Sequence, residues 1–275
     1  MIKRLIPLAL LLVSVLPVFA QNGMKITLEE NSGALTIISS RGNVKELVIP
    51  PVINGMSVTA IGEQAFARRG LKSVVIPDSV TVIGEQAFSF NELSSLVIGD
   101  TVTVIGQKAF FSNKLETVTI GSSVAEIGMA AFAENLLGEI SIPPGVARIG
   151  AYAFFFNRLT SLSIPDTVTS IGEGAFSTNR IHTLVIGSGV TVIGDGAFYN
   201  NRLTGITIPG SITEMGKRVF ESRFTKKNSQ PPVDYVDERG ALLYTTANNF
   251  DTYYESTGKR PGKYNFSGGG WIFEE

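Results

Sequence analysis

Histidine occurs once in the sequence, at position 182, and cysteine not at all. A zinc cluster or a Cys/His dyad therefore cannot be assembled, and a Ser-His-Asp triad has His182 as its single possible base. The stretch GSITEMGKR approaches a phosphate loop but puts five residues between its glycines and has Arg218 where a Ser or Thr is required. No D-x-D-x-D-G run marks a calcium loop. Catalytic residues, metal ligands and cofactors are therefore expected to be none, and the chain is expected not to be an enzyme. A hydrolase using carboxylates near the C-terminus is the remote alternative.

The chemistry that remains is recognition. Arg158, Arg180 and Arg202 recur every 22 residues, so stacked units would hold them about 4.8 Å apart. Like charges that close repel unless solvent or an anionic partner intervenes. Phe155, Phe156 and Tyr199 lie two or three residues before arginines of this column, with Phe90 and Phe111 on earlier units. Arginine beside exposed aromatics is the composition of an interaction hot spot, so these six residues, Arg158, Arg180, Arg202, Phe155, Phe156 and Tyr199, are the candidate ligand-binding set. The rival reading is a solvated turn edge. His182, beside a strand, reads as an exposed ladder residue.

A strict repeat must position these side chains. Ile61, Ile83, Ile105, Ile127, Ile149, Ile171, Ile193 and Met215 open successive units of 22 residues, and glycine follows each. Five residues on stands Phe66, Phe88, Phe110, Phe132, Phe154, Phe176, Phe198 or Phe220, preceded by Ala in all units but the last, which has Val219. Asn91, Asn113, Asn135, Asn157, Asn179 and Asn201 hold the eighth position, where an amide can satisfy backbone groups left unpaired in a turn. Leu-x-x-Val-x-Ile then alternates as a short strand with one face inward, closed by Pro or Gly. The glycine after each Ile is expected to supply a backbone conformation that other residues resist. One unit buries about five large apolar side chains, too few to offset the ordering of its backbone, so the units must stack into a solenoid.

The resulting pattern, Asn-x-Leu-x-x-Val-x-Ile-Pro-x-x-Val-x-x-Ile-Gly-x-x-Ala-Phe, resembles the BspA-like, or treponemal-type, bacterial leucine-rich repeats over residues 61–220. ELVIPPVINGMSVTAIGEQAF, residues 46–66, is similar to that family's opening unit. The resemblance implies a mainly β, right-handed leucine-rich-repeat solenoid on secreted or surface proteins, several of them associated with adhesion. It implies no shared active site.

Four segments follow. Residues 1–20, MIKRLIPLALLLVSVLPVFA, combine Lys3 and Arg4 with an apolar run and a small-residue ending, and read as a cleaved secretory signal. Residues 21–60 form an N-terminal cap and opening repeat, with MKITLEENSGALTIIS as two strands around an Asn-Ser-Gly turn. Residues 61–222 are the solenoid. Residues 223–275 are a linker and an aromatic C-terminal α+β cap or module, with a short helix near 247–256 and a hairpin of KYNF with WIFE. That last segment is similar to a tail of treponemal repeat proteins.

Taking Lys3 and Arg4 from 23 basic residues against 24 acidic ones leaves a net charge of about −3, which argues against nucleic acid as a partner. No cysteine is available to carry lipid, no LPxTG-type sorting motif is present, and no later stretch is long and apolar enough to span a membrane. The chain is expected to be exported and to lie in the periplasm, at the cell surface or outside. The outer face of the main sheet, including Ser73, Val75, Thr117, Thr119, Glu139 and Ser141, is expected to be small, flat and nearly uncharged, suited to a broad contact. The expected function is binding of a protein or other surface macromolecule through side-chain ladders. The alternative is a structural spacer or assembly subunit that displays the aromatic tail.

Overall fold

Alternation of buried and exposed residues begins ahead of the repeat. A computed structural model of the chain describes residues 14–21, 23–221, 258, 261–267 and 270–274. Strands β1 (Ser14–Gln21), β2 (Met24–Asn31) and β3 (Ala34–Arg41) pair antiparallel in succession. Ser32 and Gly33 join β2 to β3 with φ of 53° and 82°, the two left-handed residues of a type I′ hairpin turn. Met24, Ile26, Leu28, Leu35 and Ile37 are buried and close the front of the core. All of β1 except Gln21 comes from the segment expected to be cleaved, so removal at Ala20 would leave β2 as the edge of the sheet.

The sheet passes from this hairpin into the repeat. After β4 (Glu46–Val48) and β5 (Val52–Ile53), β6 (Met56–Ile61) pairs in parallel with β3. Each later unit then contributes two short strands, except the one through Glu139 and Ser141, which contributes one. One set, ending on the recurrent Ile or Met, is β8 (Val82–Ile83), β10 (Val104–Ile105), β12 (Glu126–Ile127), β13 (Arg148–Ile149), β15 (Ser170–Ile171), β17 (Val192–Ile193) and β19 (Glu214–Met215). These pair in parallel in chain order, Ile83 with Ile105 and Ile105 with Ile127, and complete a 12-stranded sheet. The other set is β7 (Ser73–Val75), β9 (Ser95–Val97), β11 (Thr117–Thr119), β14 (Ser161–Ile164), β16 (Thr183–Ile186) and β18 (Gly205–Ile208). No helix occurs among the described residues. The protein is a β-solenoid whose rungs repeat every 22 residues.

Two columns fill and tie the coil. The phenylalanines from Phe66 to Phe220 are buried, and successive rings stack with centroids 5.2–5.6 Å apart. The asparagines are buried beside them and bond in two directions. Asn135 Nδ2 donates to the carbonyls of Phe132 on its own rung and Phe110 on the rung before, while its Oδ1 accepts from the Leu115 N–H at 3.0 Å. The amide thus serves the turn, as expected, and also bridges neighbouring rungs.

The glycine column has a different cause from the one expected. None of the glycines that follow the recurrent Ile has a positive φ; a Cβ on Gly150 would instead stand 2.7 Å from Met129 N and 2.8 Å from Gly128 C. Close approach of the neighbouring backbone, not backbone conformation, excludes a side chain. Left-handed residues fall at the third and seventh positions, as at Gln86 (φ 52°) and Phe90 (φ 55°). Gly150→Ala is expected to force two rungs apart and destabilise by about 1–3 kcal/mol. Gly138→Ala, with open space around its Cβ, should change stability by less than about 0.5 kcal/mol. Urea-unfolding midpoints of the two variants check the contrast.

The main sheet is interrupted. Sequence alternation continues through Glu139 and Ser141, but no strand of this second set forms between β11 and β14. Ser122 and Ser188 donate their backbone N–H to Asp100 and Asp166 of the preceding rung at 2.7 and 2.6 Å. Pro144 occupies the equivalent place and has no N–H to give. The sheet face is recessed at the rung containing Pro144, where a flat one was expected.

At the far end, β20 (Gly262–Ser267) adds antiparallel to β18, and β21 (Gly270–Glu274) pairs with β20, Tyr264 opposite Phe273. KYNF and WIFE thus form the expected hairpin. Tyr264 is fully buried, and its ring lies 5.1 Å from that of Phe273. The helix expected near 247–256 lies outside the described residues.

Candidate functional site

Of the recesses on the surface of the described residues, three bear on the candidate residues. The first, about 640 Å³, lies on the main sheet at the interruption, with Thr117, Thr119, Ser161 and Ser163 along it and half-buried Val118 and Ile140 beneath. Glu139 is its one charged lining residue. It is broad and hydroxyl-rich.

The second recess, about 310 Å³, lies where the coil turns after the Phe stack, and Phe156 and Arg158 line it with Lys114, Glu134 and Leu136. Left-handed backbone at Phe156 (φ 55°) turns the chain there. The rings of Phe155 and Phe156 are 5.9 Å apart, and Phe155 meets Tyr152 edge-on at 5.9 Å. Tyr152, Phe155 and Phe156 therefore form a continuous, partly exposed aromatic run that ends beside Arg158.

Arg158, Arg180 and Arg202 stand one rung apart, since their N–H groups donate to Leu137, Leu159 and Ile181 of the preceding rungs at 2.9, 2.9 and 3.0 Å. All three are half-buried, and none is an unpartnered charge. Arg180 and Arg202 line neither this recess nor the next. On earlier rungs, Phe90 and Phe111 make a separate pair at 5.3 Å, with the Arg68 guanidinium 3.8 Å over the Phe90 ring.

Tyr199 belongs to the third recess, about 380 Å³. The Arg218 guanidinium lies 4.8 Å over its ring and donates to its hydroxyl at 3.1 Å, while also bonding Glu221. Across the recess the Tyr152 hydroxyl donates to Glu173. That hydrogen bond, then burial, then the carboxylate charge, hold the Tyr152 phenol above its ordinary pKa. Glu221 likewise raises Arg218, first through its hydrogen bond and then through its charge. Tyr152, Glu173 and Asp195 were not singled out by the sequence reading, and Arg218 was weighed there only against a phosphate loop. The signal was there: in the third-position column Tyr152 is the only aromatic, and it is followed by Gly174 and Gly196.

Asp100 and Asp166 act between rungs. Each accepts from both the backbone N–H and the hydroxyl of a serine 22 residues on, and these bonds hold their carboxyls below the ordinary aspartate value. His182 is half-buried, and its backbone bonds to Thr160 and Thr204 within the ladder. Among the described residues no group of His, Cys, Asp and Glu could hold a metal ion, and no helix is long and apolar enough to cross a membrane.

Comparison with known proteins places this coil. A leucine-rich cell surface protein from Faecalibacterium prausnitzii A2-165 is similar at 29% identity and a TM-score of 0.55, over 77% of this chain and 53% of that one. The pneumococcal vaccine antigen PcpA, at 21% identity and a TM-score of 0.40, matches over 74% of this chain and 48% of its own. A leucine-rich repeat protein from Eubacterium ventriosum, at 20% identity and a TM-score of 0.35, matches over 73% and 68%. The chain spans about half the length of the first two. No curated protein matches it. The family model of the BspA type leucine rich repeat region matches in six copies over residues 40–157 and 104–227. With that match over most of the chain and the stacked Ile-Gly and Ala-Phe columns behind it, this protein belongs to the BspA type leucine-rich-repeat family.

Proposed function

We propose that this protein is a non-enzymatic, exported and surface-associated binding protein, and that the edge carrying Phe155, Phe156 and Arg158 grips a protein or other surface macromolecule. The observation that carries this reading is the aromatic run from Tyr152 through Phe156, which ends in a recess beside Arg158. Rigid aromatics beside arginine supply large contact area at low entropic cost, the usual make-up of binding hot spots. Arg180 and Arg202 continue the same column and lengthen the contact by one rung each. The leader segment and the likeness to a leucine-rich cell surface protein support export.

Replacing Arg158, Arg180 and Arg202 together by Ser is expected to weaken partner capture by roughly thirtyfold or more, the loss of one hot spot of about 2 kcal/mol. The circular dichroism spectrum should be unchanged. Pull-down from host-matrix and bacterial surface extracts, quantified for wild type and variant, measures this; equal capture by both rejects the arginine edge.

A further inference from the structure

The recess between Tyr152 and Arg218 is built differently from the arginine edge and points to a different ligand. The third position of every rung has left-handed backbone, and from Gln64 to Tyr152 each rung carries a side chain there. Gly174 and Gly196 then interrupt the column for two rungs before Arg218 resumes it. Their N–H groups still bond the next rung, to Asp195 and Lys217 carbonyls at 2.9 and 2.8 Å, so the coil continues regularly while its surface drops away. The Tyr152 ring covers the place at Gly174, so the notch of about 380 Å³ opens over Gly196, between the rings of Tyr152 and Tyr199.

Its walls are held in advance. The Tyr152 ring lies over Gly174 so closely that a Cβ there would collide with it. Its hydroxyl is fixed by Glu173, and Phe155 packs edge-on behind it at 5.9 Å. Even so, Tyr152 keeps 37% of its surface exposed. Tyr199, fixed by Arg218, forms the facing wall. Between them Glu173 and Asp195 offer carboxylate acceptors, and Lys217 and Arg218 offer donors.

This combination selects by exclusion. A phosphate or sulfate would face Glu173 and Asp195, and a lysine or arginine side chain would face Lys217 and Arg218. A neutral polyol satisfies both sets, because each hydroxyl both donates and accepts. A pyranose ring adds an apolar C–H face that lies against an aromatic wall, burying apolar surface without stranding its hydroxyls. The volume stands near the lower end of small-molecule sites, about 300–1,000 Å³, and fits one or two sugar rings. We propose that this notch binds a neutral hexopyranose unit of a glycan, with Tyr152 as the stacking platform and Glu173, Asp195 and Lys217 bonding its hydroxyls.

The test is titration of the folded chain with cellobiose, maltose, lactose and chitobiose, followed by isothermal calorimetry and by NMR of the tyrosine rings. Saturable binding of at least one is expected, with shifts at Tyr152 and Tyr199. Tyr152→Ala should weaken it by roughly tenfold, the loss of one stacking wall, and should fold, because Ala130 occupies the same column with the same backbone (φ 52°). Tyr152→Phe keeps the ring and should bind within about threefold of wild type, roughly the worth of one exposed hydrogen bond. The Arg158, Arg180 and Arg202 triple variant should bind sugar normally, which separates this site from the arginine edge. No saturable binding of any of the four sugars overturns the proposal, as does equal binding by wild type and Tyr152→Ala. Preferential binding of a sulfated sugar or a lysine-rich peptide at the notch also overturns it.

Discussion

Phe132→Ala is expected to lower the unfolding free energy by about 3–5 kcal/mol, the range for deleting a buried Phe ring. Phe132 is fully buried in mid-stack, 5.4 Å from the rings of both Phe110 and Phe154 and within 11° of parallel to each. The gap left behind cannot close by collapse. Rung spacing there is set by backbone bonds, Phe110 N–H to the Ala131 carbonyl and Phe132 N–H to the Ala153 carbonyl, both 2.8 Å. Cavity and lost ring contacts therefore add to the transfer term. In a coil where each rung contacts only its neighbours, weakening one interface also uncouples the halves on either side. The urea transition, followed by circular dichroism, should move to lower concentration and broaden or split. A loss under about 1 kcal/mol with a sharp transition would show that the stack is not what holds the rungs together.

Asn157→Ala is expected to cost about 2–4 kcal/mol, because it strands one buried backbone N–H at about 1–3 kcal/mol and removes further hydrogen bonds at about 0.5–1.5 kcal/mol each. Asn157 Oδ1 is the acceptor for the Leu137 N–H at 3.1 Å. Its Nδ2 donates to the carbonyls of Phe132 at 2.9 Å and Phe154 at 3.2 Å. Those two carbonyls also accept from Asn135 and Asn179 and would keep one donor each, but Leu137 would keep none in that lattice. Hydrogen exchange should therefore quicken most at the Leu137 amide. Asn157→Asp retains the acceptor but turns a carboxylate toward the carbonyls. Burial would raise that carboxyl's folded pKa above its unfolded value, so the variant is weakest at pH above the raised value and recovers as pH falls through it. A urea-unfolding series across acid and neutral pH reads the sign directly.

Both predictions concern columns that were legible in the sequence. Stacking gives equivalent positions equivalent surroundings, so the environment that demands Phe at Phe132 also demands it at Phe110 and Phe154, and the demand is written 22 residues apart. The Asn-Ser-Gly turn and the KYNF–WIFE pairing were legible because turn chemistry and alternation are local. The reason for the glycine column was not. A glycine needed for left-handed backbone and one needed for close approach look identical as letters, and the 2.7 Å from a Gly150 Cβ to Met129 N is a distance between rungs. The interrupted sheet is similar, since Glu139 and Ser141 keep the strand pattern although no strand pairs β11 with β14 across them.

The candidate site divides along the same line. Arg158, Arg180 and Arg202 were placed in one column by spacing alone, and they do stand one rung apart. Spacing did not say that they are half-buried and partnered, nor that Arg218 lies over the Tyr199 ring. The sequence by itself determined the rung, its period, its inward Ile, Phe and Asn columns and the family, because a solenoid core is a one-dimensional repeat of local demands. Only the tertiary structure decided which outward side chains converge. The direction of a side chain at a corner depends on left-handed residues such as Tyr152 and Phe156 and on what the adjoining rungs leave empty, as Gly174 and Gly196 do.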